Sequence, residues 1–209
     1  MPGAHEIKRP ARTVLSVPEK CHLFGYDFLP PVGRFLKRQA VYGIGLAAPH
    51  EVSLLPEIER RACELFLAFP STAEIPLHLT PLEEFEFAQR AHLLWTARAA
   101  GAPIGFALVE PLGPGLHLEE LDVLPEQGRK GVGCALVREV CRYAQAQGRV
   151  LSLCTFRDVP WNAPFYTRLG FQTLCPEEIW PELLARVQEE AARGLRSELR
   201  VAMRYVGGT

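Results

Sequence analysis

Apolar positions recur along this chain with two different periods, and the switches between them give the order of elements. Leu54, Leu55, Ile58, Ala62, Leu65 and Phe66 follow a period near 3.6, which predicts a helix after the short apolar run Val41 to Ala48 and Pro49. Pro70, Pro76 and Pro81 make the following stretch a loop. Leu82 to Ala91 then suits a turn or two of helix, with Glu83, Glu84 and Glu86 on a polar side. Leu93 to Arg98 and Ile104 to Val109 read as strands joined by the turn-rich Ala99 to Pro103, the signature of an antiparallel hairpin. A third strand, Leu116 to Leu124, follows Gly113-Pro114-Gly115.

Beyond a glycine-rich loop, Leu136, Val137, Val140, Cys141 and Ala144 return to helical spacing, and the helix ends near Gly148. Val150 to Phe156 is a buried strand, and Pro181 to Arg193 a helix with proline at its start and Gly194 past its end. Glu198 to Val206 alternates Leu199, Val201, Met203 and Tyr205 with polar or small residues, the period of a sheet with one buried face. No internal repeat is present. Residues 1–40, rich in proline and in Lys and Arg, carry neither period and read as an N-terminal extension; residues 41–206 form the single domain.

Composition narrows the function. With 209 residues, 48% hydrophobic, the chain can bury one sizeable core. A net charge of -1 supplies no field to hold nucleic acid. No apolar run is long enough to span a membrane, and Met1 to Arg12 lacks the core of a signal peptide, so a cytoplasmic protein is expected. Six cysteines and six histidines are scattered without zinc-ligand spacing, and no metal is expected.

The candidate chemistry lies in two segments and on one strand. Gly128-Arg129-Lys130-Gly131-Val132-Gly133-Cys134 stands between a strand and a helix. There glycines turn tightly, and the free amides and dipole of the helix start favour an anion such as a pyrophosphate. The segment is not a phosphate-binding P-loop, which would end in Gly-Lys-Ser/Thr, nor a dinucleotide fingerprint, which would need glycine where Leu136 stands. Together with Leu121-Asp122-Val123-Leu124-Pro125 before it and Ala135-Leu136-Val137 after it, the loop resembles motif A of the GNAT superfamily of N-acetyltransferases. Where that family usually has Gln or Arg three positions before the central glycine, this chain has Gly128.

The resemblance implies that Leu121, Asp122 and Val123 and the loop Gly128, Arg129, Lys130, Gly131, Val132, Gly133 and Cys134 hold acetyl-CoA. The main chain of Leu121 and Val123 would pair with the pantetheine arm. It further implies an α/β fold, a mixed, mostly antiparallel twisted sheet flanked by helices on both faces and splayed near the loop. Trp161 to Phe171 is similar to the family's motif B, in which a short helix carrying a tyrosine ends at Gly-Phe, so Tyr166 would donate a proton to the departing thiolate. Where the family commonly has asparagine seven residues before this tyrosine, Val159 stands here; Asn162, four residues before it, is the candidate amide for a CoA contact.

An ammonium substrate must lose a proton before it attacks a thioester. Candidate acceptors lie on Leu116 to Val123, where strict alternation puts His117, Glu119, Leu121 and Val123 on one face and Glu120 and Asp122 on the other. If Leu121 and Val123 flank CoA, as the resemblance implies, their face is favoured, and His117 stands six residues before the valine, where GNAT members place such a base; His117 therefore ranks first, Glu119 second and Glu120 third, the last because a bulge would reverse a face. The expected activity is N-acetyl transfer to a primary amine, small or peptidic, whose identity the chain does not reveal. A non-catalytic acyl-CoA sensor, or transfer of another acyl group, are the competing readings, and a homodimer stays open.

Overall fold

The computed structural model describes residues 42–67, 72 and 78–207; the N-terminal extension and most of the proline-rich loop lie outside the described residues. Seven strands form one mixed sheet, in the order β1 (Gly43–Leu46), β2 (Leu94–Ala99), β3 (Ala102–Leu112), β4 (Gly115–Val123), β5 (Leu151–Phe156), β7 (Arg200–Tyr205) and β6 (Phe171–Thr173). The pair β4 and β5 is parallel and every other neighbouring pair is antiparallel. The crossover between the parallel strands is made by α3 (Val132–Ala146), as the distance between two parallel strand ends requires.

Helices cover both faces. On one, Phe85 of α2 (Leu82–Arg90) packs edge-on against Phe106 of β3 at 5.2 Å, and Phe66 of α1 (Leu55–Leu67) lies 5.5 Å from Phe156 of β5. Farther along the same face, α5 (Pro181–Ala192) covers β5 and β7 and buries Leu183 with Ala202 and Leu174. The opposite face takes α3, whose Leu136, Val137, Val140, Cys141 and Ala144 are buried as their spacing predicts, with Tyr143 against Trp95 of β2 at 5.1 Å. Each large aliphatic residue in that stripe contributes on the order of 1.5–3 kcal/mol by leaving water. No helix among the described residues is long and apolar enough to cross a membrane.

Three stop signals behave as their chemistry requires: α3, α5 and the short α4 (Ala163–Arg168) are each followed by a left-handed glycine, Gly148, Gly194 and Gly170. Other expectations are corrected. Leu54 and Leu65 are exposed, whereas Glu59 is buried in the stripe formed by Leu55, Ile58 and Ala62. In β7 both Ala202 and Met203 are buried, because α5 covers the face that the alternation assigns to solvent. The three-residue β6 is too short to show a period and is visible only as a ladder on β7.

The decisive irregularity is in β4. Leu108 of β3 pairs with Glu120 and the next residue, Val109, with Leu118, so Glu119 is an extra residue in the ladder. The bulge overturns the strict alternation along this strand. His117, opposite Glu110, shares a face with Glu120 and Asp122, opposite Leu108 and Phe106. Leu121 and Val123 face the other way, toward Gly133 at the start of α3 and Phe165 of α4.

Candidate active site

The sheet opens at the end where these elements meet. The β4–β5 ladder holds Leu116 to Leu151, His117 to Ser152 and Leu118 to Leu153, and stops there, while β5 stays paired to β7 as far as Phe156 and Arg200. The main chain from Glu119 to Val123 therefore has no strand beside it on the β5 side among the described residues. Gly105 of β3 permits the tight backing on the other side: a Cβ there would lie 2.7 Å from the Asp122 carbonyl.

Past the open edge the chain makes a turn of 3-10 helix at Pro125–Gln127 and enters the glycine loop. Arg129 and Gly131 both stand in the left-handed region, at φ 57° and 84°. For Arg129 that conformation costs energy, and such outliers are kept where the backbone has to present its amides. Gly131 caps α3 with its carbonyl, which accepts from Ala135 N–H at 3.0 Å, so the first amides of the helix have no intrahelical acceptor. No acidic residue stands in that first turn. Among the described residues Lys130 bonds only the neutral Gln127 amide, at 3.1 Å, which leaves its charge beside the dipole.

On the α1 and α2 side of β4 lies an acidic group. Glu59 accepts from the amide and hydroxyl of Thr80, both at 2.9 Å, through one oxygen, and its other oxygen is buried with no partner among the described residues. Asp122 Oδ2 is in the same condition. Burial raises the pKa of Glu120 and Asp122 well above the usual carboxylate range; the charge of Glu59 pushes both in the same direction, and that of Asp122 adds to the shift of Glu120. Glu59 is raised too, by burial first. Cys63, one turn after Glu59, is a thiol that burial and these carboxylates keep protonated.

Tyr166 faces the same charges. It is 9% exposed and packs edge-on against Phe165 and Phe171, with ring centroids 5.0 and 5.7 Å away. Burial, then Asp122 and Glu120, raise its pKa, so the phenol holds its proton as a donor must. Asn162 starts the helix through its carbonyl, which accepts from Phe165 and Tyr166, and its side chain makes no cap.

His117 belongs to a different environment, under α5. Ser152 Oγ donates to the Leu116 carbonyl at 3.2 Å, so its oxygen accepts from His117 Nδ1–H at 2.9 Å. Nε2 then carries the lone pair and looks at Glu119 Oε2, 3.8 Å away and otherwise unpartnered among the described residues. Burial, followed by the charges of Arg186 and Arg200, lowers the His117 pKa to about 3. Glu119 is pushed up to about 7 by burial, against the opposing Arg186 at 3.5 Å. His117, Cys154 and Glu190 bring ligand atoms within 4.8 Å of one another, a donor set that suits a soft divalent cation. Glu190 is already bonded to Arg200 Nε at 2.9 Å, so a guanidinium supplies the positive charge there.

Comparisons with known proteins bear on the family and the fold. The acetyltransferase (GNAT) family matches residues 59–171. The chain belongs to the GNAT family. A mycothiol acetyltransferase of Sanguibacter keddieii is 30% identical over 142 residues, covering 68% of this chain and 38% of that protein, so the chain spans well under half the length of this curated relative. Two solved structures share the fold. The PaiA N-acetyltransferase of Thermoplasma acidophilum, in complex with coenzyme A, covers 78% of this chain and 98% of its own at 18% identity, TM-score 0.56. The ribosomal-protein-S18-alanine N-acetyltransferase of Escherichia coli covers 80% and 95%, at 18% identity and TM-score 0.55.

Besides the loop from Gly128 to the start of α3 and Asn162 at the start of α4, the residues singled out from sequence in this GNAT domain fall into three places. Leu121, Val123 and Gly133 meet at the open edge with Phe165; Glu120, Asp122 and Tyr166 interact electrostatically across it; His117 and Glu119 lie under α5 with Arg186. Sequence reasoning missed Glu59 and Arg200. Glu59 left a signal, a carboxylate inside an apolar helical stripe. Arg200 left none, since its role comes from β7 lying beside β5.

Proposed function

We propose that this GNAT domain transfers an acetyl group from acetyl-CoA to a primary amine by direct attack of the nitrogen on the thioester. The observation that carries this reading is the end of the β4–β5 ladder at Leu118, which leaves a free main-chain edge leading straight to the amides at the start of α3. The pantetheine arm would pair with Leu121 and Val123 as a strand does, and the pyrophosphate would take the amides from Val132 onward with Arg129 and Lys130.

The thioester would then lie between Tyr166 and the carboxylates of β4. Glu120, with Asp122 beside it, takes the ammonium proton, and its raised pKa narrows the gap to the amine it must deprotonate. Nitrogen bonds the carbonyl carbon, the C–S bond breaks, and Tyr166 gives its proton to the thiolate. This orders the bases differently from strict alternation. Glu120 and Asp122 act electrostatically on Tyr166, whereas His117 sits where β4 is still paired to β5.

Calorimetric titration with acetyl-CoA and desulfo-CoA, followed by thiol release against a panel of amines, tests the reading. Micromolar binding and turnover reduced about 10²-fold in Tyr166→Phe are expected. Binding without turnover of any amine makes the domain an acyl-CoA sensor, turnover only with a longer acyl-CoA changes the donor, and no CoA binding ends the proposal.

A further inference from the structure

Beneath α5 is a cavity of about 270 Å³, room for about nine waters at roughly 30 Å³ each, and so sized for an amino-acid side chain rather than a drug-like ligand. Its walls include Leu174, Ile179 and Val187, with the hydroxyl residues Thr173 and Ser197. Two arginines and one carboxylate stand among the lining residues. Arg200 is held by Glu190, by the Cys154 carbonyl at 3.1 Å and by the Phe156 ring at 5.0 Å, so the two opposite charges cancel. Arg157, directly after β5, is exposed and makes no side-chain ion pair or hydrogen bond among the described residues.

The cavity adjoins the site. Cys154, the first residue of β5 past the end of the β4–β5 ladder, lines it with Arg157 and Glu190, and the charge of Arg200 acts on Glu120 and Tyr166. One side of the open edge carries the carboxyl groups of Glu59, Glu120 and Asp122, and the other the guanidinium of Arg157. Between them lie β4, β5 and β7, one or two strand spacings, roughly 5–10 Å. An α-amino acid, hydrogen-bonded at both ends, spans about 8 Å between protein atoms and reaches only the near part of that range, whereas a dipeptide or ω-amino acid reaches all of it.

We propose that the cavity under α5 is the acceptor's distal subsite and that it takes the carboxylate end of a short dipeptide or ω-amino acid, whose amine lies among the β4 carboxylates. Arg157 binds the carboxylate, and the apolar wall by Val187 receives the adjoining carbon chain. This rests on the acetyltransferase reading and adds the class of acceptor to it.

The test compares matched acceptors by thiol release from acetyl-CoA: glycyl-leucine against its C-terminal amide, and ε-aminocaproate against hexylamine. A KM about tenfold lower for the carboxylate-bearing member of a pair is expected, the size of one charge-assisted hydrogen bond. Arg157→Ala should abolish that difference with kcat little changed, and Val187→Trp should raise KM for both members of the glycyl-leucine pair. Calorimetry with acetyl-CoA on each variant shows that it is folded and donor-competent. Equal KM values within each pair, preference for hexylamine, or turnover of neither pair by protein that binds acetyl-CoA overturns the subsite and leaves the donor reading standing. Failure to bind acetyl-CoA is a failure of the enzyme reading itself.

Discussion

The two ends of β4 differ in how they are paired. From Leu116 to Leu118 the strand is paired on both sides, and its one ionisable group, His117, is held neutral by burial and by the charges of Arg186 and Arg200. From Glu120 to Val123 it is paired on one side only, and its two carboxylates are brought to the open edge with unsatisfied oxygen at Asp122. Glu119 is the hinge between them, the bulged residue that turns one face pattern into the other. Burial alone therefore does not mark a reacting group. What separates the ends is whether the backbone beside the buried group has a partner strand.

The largest effect should come from the open end. Glu120→Gln is expected to lower kcat/KM by about 10²–10⁴-fold at neutral pH while acetyl-CoA affinity holds. An equal loss in His117→Gln with Glu120→Gln near wild type would move the base to the closed end. Next in size, charge reversal of Arg129 and Lys130 to glutamate should weaken acetyl-CoA binding by about 30–100-fold in calorimetry, from two lost charge-assisted contacts at an exposed loop.

Acid and base limbs of stability separate the hinge from the closed end. Glu119, raised to about 7 from 4.5, binds more protons in the folded than in the unfolded chain between those values. It should cost stability as pH rises through that window, roughly 1–3 kcal/mol in all, and Glu119→Gln should remove the slope. His117, lowered to about 3 from 6.5, binds fewer protons when folded, so stability falls as pH drops through that range and His117→Gln flattens it. The two slopes oppose each other between 4.5 and 6.5, so denaturant titrations of the variants are more telling than those of the parent. Smallest, Ser152→Ala should cost about 1 kcal/mol of stability and leave acetyl-CoA affinity unchanged, since its hydroxyl serves only the closed end.

Most elements were legible because their signals are local. The helical stripe of α3 and the glycines that end α3, α4 and α5 depend on a few adjacent residues. The glycine loop and Tyr166 were legible for the same reason, each lying within one short segment. Glu59 was half visible, a carboxylate in an apolar stripe whose purpose appears only when β4 lies opposite it. Which side chains of β4 share a face was not legible, because a single extra residue in one ladder reverses every face beyond it.

By itself the sequence determined the helical stripe of α3, the glycine loop at its start and the short helix that carries Tyr166. Only the tertiary structure decided which carboxylates share a face, where β4 and β5 part, and that Arg200 and Arg157 border a cavity next to the site. The physical reason is range: turn, cap and helix energies are set by neighbours in the chain, whereas bulge register, ladder length and buried charge are set by strands far apart in sequence that meet only on folding.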